Sequence, residues 1–234
     1  MFRQRFKSTR SGPPAISPPR RGWPASRRSA RRDSGPLGCF LSALALLAAP
    51  PAHAVSDDAI LAERPPKLLS EFGFFDDMET QRPAAGVLPF APPTALFSDG
   101  AVKSRFVYVP AGRAATYVAD EAFEFPAGSA LVKSFAFPAD FREPGRDLTT
   151  IETRVMLRHE DGWQAWAYVW NAEGTDAELK IAGAKATIEA VDEAGGKLSF
   201  SYAVPNKNQC KACHAVSGEI VPLGPKARNL NADL

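Results

Sequence analysis

From Lys103 to Val204 the chain alternates apolar and polar residues in short runs separated by turn residues. This period of two is what a strand with two distinct faces requires. The clearest run places Ile151, Thr153, Val155 and Leu157 on one side and Glu152, Arg154, Met156 and Arg158 on the other. Asp161-Gly162 follows as a hairpin turn signal, and Trp163 to Trp170 supplies the returning strand. Further runs lie at residues 105–109, 115–119, 123–125, 131–137, 179–181, 186–191 and 198–204, with Gly195-Gly196 as another turn. Roughly eight or nine strands at this spacing predict a mainly β fold, with an antiparallel β-sandwich or jelly-roll-like body over residues 55–204. No helical pattern of useful length interrupts them, which argues against a parallel βαβ sheet.

The stretch before the strands reads differently. Asp57-Asp58 caps a helical turn over residues 59–63, stopped by Pro65-Pro66. A second short helix is expected over residues 67–72, with Gly73 after it. Residues 76–93 hold Pro83, Pro89, Pro92 and Pro93 without a period and read as loop. Trp163, Trp166, Tyr168, Trp170 and Phe135 are expected to be core and cross-strand packing, with a carbohydrate-binding face as the alternative. Glu152 and Arg154 read as a surface ion pair, and Asp99-Gly100 as a turn. The sequence has no Gly-rich phosphate loop, nucleophile elbow or H-E-x-x-H motif.

Charge separates the chain into two parts. Residues 1–54 carry ten of the 28 basic residues and one of the 26 acidic ones, leaving 18 basic against 25 acidic for the remainder. The body is therefore acidic, which argues against a nucleic-acid partner and suits docking on a basic patch of a partner protein. The basic segment leads into an apolar run at residues 37–49, too short for a membrane span of about 20 residues. Pro50-Pro51 breaks the run, and Ala52-His53-Ala54 gives a small-x-small cleavage pattern. Residues 1–54 thus read as a secretory signal cleaved after Ala54, giving a periplasmic or otherwise exported protein without a transmembrane span in its mature chain. Leu37-Gly38-Cys39 is a poor lipoprotein site because the apolar run follows Cys39. Ser26-Arg27-Arg28 is similar to a twin-arginine signal, the route of proteins exported folded.

Cys210-Lys211-Ala212-Cys213-His214 has the C-x-x-C-H form of a c-type haem attachment site. On a helical turn, positions i, i+3 and i+4 share a face. Cys210 and Cys213 can then form thioethers to one porphyrin while His214 ligates its iron. Asn206 or Asn208 is expected to cap the helix, and Gly218 to end it. A redox dithiol would expect a βαβ setting, and zinc would need four ligands. Neither second cluster nor setting is present in the sequence.

Residues 206–231, with Leu223-Gly224-Pro225 after the motif, resemble the haem-binding start of class I cytochromes c. The resemblance implies that the Pro225 carbonyl accepts from His214 Nδ1–H and orients the ring. A wider likeness runs from about residue 65 to the end. It rests on LLSEFGFF at 68–75, LPF at 88–90, LFSDGAVKSR at 96–105, FPAG at 125–128, IETR at 151–154 and YVWN at 168–171. These segments resemble a family of exported bacterial c-type cytochromes with an N-terminal β-rich domain and a C-terminal haem domain. The resemblance implies one covalent haem c on a short helical segment at residues 205–234, and a redox role. Longer members of that family carry two motifs; this sequence has one and ends twenty residues past His214.

A class I cytochrome takes its distal methionine from well downstream, where this sequence has none. Met78, Met156 and His159 are the remaining methionines and the remaining histidine after residue 54, apart from His214. Met156 and His159 are the weak candidates for the sixth ligand, and both are expected first as packing residues. An open sixth position, or one filled from elsewhere, is expected. The expectation is an exported electron carrier working with redox partner proteins, more a transfer protein than a catalyst. The alternatives are a peroxidase-like haem enzyme or gas binder with an open distal site, and a ligand-binding β-sandwich with a structural haem.

Overall fold

The computed structural model describes residues 54–94 and 96–230. The expected signal segment, the cleavage pattern up to His53 and Cys39 lie outside the described residues.

The first elements are small and lie ahead of the main sheet. Helix α1 (Asp57–Leu61) is capped by Ser56, whose hydroxyl accepts from the Ala59 amide at 3.1 Å. Asp57 and Asp58 fall in its first turn, where their charge favours the helix dipole, and do not cap it. The expected second helix is a single 3-10 turn, Leu69–Phe72, ended by Gly73 in the left-handed region at φ +70°. Residues 76–93, read as loop, contain three short strands: β1 (Phe75–Asp77), β2 (Arg82–Pro83) and β3 (Val87–Pro89). Such two- and three-residue pairings carry no visible alternation.

The main sheet follows with β4 (Val102–Tyr108), β5 (Ala130–Pro138), β6 (Leu148–His159), β7 (Gly162–Trp170) and β8 (Ala177–Leu179). Together with β3 they pair antiparallel in chain order, a six-stranded meander. The mainly β, antiparallel expectation therefore holds; the six strands do not cross over as those of a jelly roll do. Two predicted strands shrink: residues 115–119 and 123–125 contribute only the bridge Thr116–Glu124. The β6–β7 turn also sits one residue early. His159 pairs with Gly162, so Glu160-Asp161 form the loop and Gly162 absorbs the bend at φ +139°.

Both faces of this sheet are covered. On one face Val132, Val155, Leu157 and Tyr168 meet Ile60, Leu69, Phe72 and Phe74 from the N-terminal elements. Phe72 stacks on Phe74 at 4.9 Å and meets Tyr168 edge-on at 5.9 Å, and the Tyr168 hydroxyl donates to the Pro66 carbonyl at 2.8 Å. The buried aromatics thus join the core, as expected of Trp166, Tyr168, Trp170 and Phe135. The opposite face carries two separate covers. One is the hairpin β9 (Ala184–Val191) and β10 (Lys197–Val204), which packs Ile188, Tyr202 and Val204 over Phe135, Phe137 and Ala167. The other is the segment after Val204, which buries Cys210 against Leu131, Met156 and Ala165. Coverage on both sides explains why β5 is buried almost continuously instead of in alternation. No helix among the described residues is long and apolar enough to cross a membrane.

Candidate haem-attachment site

Helix α2 (Lys207–His214) starts at Asn206, whose side chain accepts from the Gln209 amide at 2.9 Å while Gln209 Oε1 accepts from the Asn206 amide at 2.9 Å. This reciprocal box fixes the helix start at Asn206, leaving Asn208 inside the first turn. The Lys207 amide donates to the Ile181 carbonyl at 3.1 Å, and its ammonium lies 3.9 Å from the Trp166 ring centre. These contacts seat the helix on β7 beyond the stretch that β8 covers.

The helix stops at His214, four residues before Gly218. Ala215–Val216 (β11) and Glu219–Ile220 (β12) pair as a tight hairpin. Ser217 (φ +52°) and Gly218 (φ +90°) form its turn; the primed conformation demands positive φ at both positions. Gly218 thus serves a hairpin and not a helix end. The hairpin brings Val221 back to the histidine. The Val221 amide donates to the His214 carbonyl at 2.8 Å, and His214 Nδ1 lies 3.0 Å from the Val221 carbonyl. A carbonyl oxygen only accepts, so Nδ1 carries the proton and Nε2 keeps its lone pair.

This corrects the role expected for Pro225. Its carbonyl accepts from the Phe123 amide at 2.9 Å, and its neighbour Lys226 bridges to Ala122. Seven residues suffice to return the chain to the ring through β11–β12, so Val221 takes the acceptor position. The buried Pro225 ties the segment to the body.

Cys210, Cys213 and His214 line one cavity of about 280 Å³ with Arg154, Ala165 and Trp166. Cys210 is buried and Cys213 exposed. Burial pushes the Cys210 thiol above its ordinary pKa, the reverse of an activated dithiol. Burial also holds His214 below its usual value, against the hydrogen bond to Val221, with the charges of Lys133 and Arg154 acting in the same direction as burial. The imidazole is thus neutral near pH 7, as ligation requires. Among the described residues no three His, Cys, Asp or Glu side chains converge on a point, as a metal held by protein alone would need. Haem iron needs only an axial side chain, and two thiols three residues apart beside one neutral imidazole fit it.

The two distal candidates part company here. Met156 is packed in the same buried cluster as Cys210. The alternation of β6 places His159 with Val155 and Leu157, on the opposite face of the sheet, and its buried Nε2 has no hydrogen-bond partner among the described residues.

No family model matches this chain. No curated protein and no solved structure matches it either.

The residue that the sequence concealed is Arg154. Its guanidinium is held by Glu152, with Nη2 to Oε1 at 2.5 Å and Nε to Oε2 at 2.9 Å, and the Tyr202 hydroxyl donates to Glu152 Oε1 at 2.5 Å. The pair read as a surface bridge is a buried one, with Glu152 at 0% and Arg154 at 34% side-chain exposure. Burial opposes the guanidinium charge, but Glu152 outweighs it and raises the Arg154 pKa above its ordinary value. The available signal was a charged pair two apart on one strand face, which only knowledge of the second cover would have placed indoors.

Proposed function

We propose that this chain is an exported c-type cytochrome that holds one haem through Cys210, Cys213 and His214 and passes electrons to a protein partner. The observation carrying the reading is the reciprocal His214–Val221 pair beside the two thiols: it fixes the imidazole with Nε2 free, on a cavity that both cysteines line. Bound haem would supply a one-electron Fe(III)/Fe(II) couple. The protein's own part is to hold its edge by Cys210 and Cys213, to orient the His214 ring through Val221, and to shield one side with Ala165 and Trp166. Hydrogen bonding at Nδ1 raises the basicity of Nε2. The β-rich body over residues 55–204, sandwich-like where the β9–β10 hairpin packs on the main sheet, acts as scaffold and docking module. The segment at residues 205–234 carries the cofactor. Residues 55–234 together hold 18 basic and 25 acidic residues, an acidic balance that suits a basic redox partner.

The test is intact mass after periplasmic expression with a cytochrome maturation system. One added haem, lost in the Cys210→Ala/Cys213→Ala double variant, supports the reading; a colourless chain of bare polypeptide mass would falsify it. A low-spin reduced spectrum marks electron transfer. A high-spin spectrum shifted by carbon monoxide would instead mark a gas-binding or peroxidase-like haem.

A further inference from the structure

Arg105, Lys133 and Arg154 stand directly opposite one another on β4, β5 and β6. Side chains so aligned lie on one face, about 5 Å apart at Cβ, where like charges repel. The row crosses the face between its two covers: Leu131 and Met156 on one side lie under α2, and Phe135 on the other lies under Tyr202. All three cations are half-buried. Lys133 Nζ and the Arg154 guanidinium both lie over the Phe135 ring, at 4.7 and 4.2 Å. Lys103, two residues from Arg105, adds a fourth positive charge and is itself tied to the Ala101 carbonyl.

The charges do not balance. Glu152 is committed to Arg154 and Tyr202, Asp99 acts on Lys103, and Lys133 has no ion pair among the described residues. Burial, then Arg105, Arg154 and Lys103, depress the Lys133 pKa to about 8, against the opposing charge of Glu152. An otherwise acidic body thus keeps a strip of net positive charge. One end of the strip, Arg154, lines the cavity that holds Cys210, Cys213 and His214. Such a strip waits for an anion on a neighbouring group.

We infer that Arg154 and Lys133, backed by Arg105, bind the propionate carboxylates of the haem attached at Cys210 and Cys213. This rests on the haem reading above. It assigns the β-rich body a direct part in the cofactor site, with residues more than 50 positions from the motif neutralising the acid edge of the porphyrin. A free carboxylate or phosphate shares the chemistry, and the experiment separates the two.

The test uses the full-length holoprotein, with wild type compared with Lys133→Gln and Arg105→Gln; Arg154 is left intact because Glu152 depends on it. Haem stain and intact mass should be the same in all three. The midpoint potential is then followed against pH. A cation within reach of a carboxylate lowers its pKa by one or more pH units. The acid-side inflection of the potential should therefore move up by about one pH unit in Lys133→Gln, by less in Arg105→Gln, with the potential lower throughout the neutral range. Haem attached as in wild type but with an unmoved inflection in both variants overturns the assignment while leaving haem attachment standing. Thermal unfolding of the holoprotein with and without inorganic phosphate gives the second arm. No phosphate response is expected, and stabilisation lost in Lys133→Gln would show a strip open to free anions and overturn the assignment too.

Discussion

Replacing Glu152 by alanine tests how the candidate site is held together. The carboxylate is wholly buried and accepts three short hydrogen bonds, two from Arg154 and one from Tyr202. Its removal leaves Arg154 opposite Lys133 without a counter-charge and the Tyr202 hydroxyl without its acceptor. Breaking a buried ion pair by deleting one partner costs about 3–5 kcal/mol. Arg154 keeps 34% of its side chain accessible, so water offsets part of the loss and the lower end, about 3 kcal/mol, is expected. With a urea slope of about 2 kcal/mol per molar, the unfolding midpoint should fall by roughly 1.5 M. Equilibrium urea unfolding followed by tryptophan fluorescence reads this directly, since Trp166 and Trp170 are in the core. Arg154→Met should cost at least as much, because the fully buried carboxylate then has no cation. The double variant Glu152→Gln/Arg154→Met should cost less than either single change. A loss below about 1 kcal/mol for Glu152→Ala, the range of an exposed pair, would refute the reasoning.

Three other outcomes are expected. In the Cys210→Ala/Cys213→Ala chain, Lys133 has a folded pKa of about 8 against an unfolded value near 10.4, so the unfolded chain binds more protons between them and stability rises with pH across that window. Lys133→Met in the same background should remove that rise and add about 1–2 kcal/mol at pH 7, after discounting for the partly exposed ammonium; identical stability–pH curves for the two chains would refute it. Asn206→Ala deletes the cap of α2 and should cost about 1 kcal/mol in denaturant unfolding, with Asn208→Ala well under half of that. Gly183→Ala places a Cβ 2.6 Å from the Val204 carbonyl oxygen at φ +75°, so a loss above about 1 kcal/mol in thermal or urea unfolding is expected, and a neutral result would contradict the observed turn.

The strands were legible because alternation is local. Residues 151–159 and 163–170 announce themselves within nine positions, and β6 and β7 lie within a few residues of where the pattern puts them. Helix α2 was legible from the C-x-x-C-H spacing, and its capping asparagine was one of two expected. Contacts set by chain return were not. Val221 replaces Pro225 at the histidine because a two-residue turn closes at Ser217-Gly218, and a likeness to another fold's spacing carries no information about that hairpin. Glu152 and Arg154 were read as exposed because a polar strand face ordinarily meets water; here Tyr202, fifty positions away, covers it. Lys133 and Arg105 belong to the same class, since a row across three strands becomes visible only once register is known.

Only Pro205 and Asn206 separate the last strand of the β9–β10 hairpin from the first residue of α2. Tyr202, bolted to Glu152, stands two residues before that strand ends. The thiols therefore hang from a short lever whose pivot is the carboxylate that also steadies Arg154. A change deep under the hairpin, far from either sulfur, would tilt α2 and the cationic strip together.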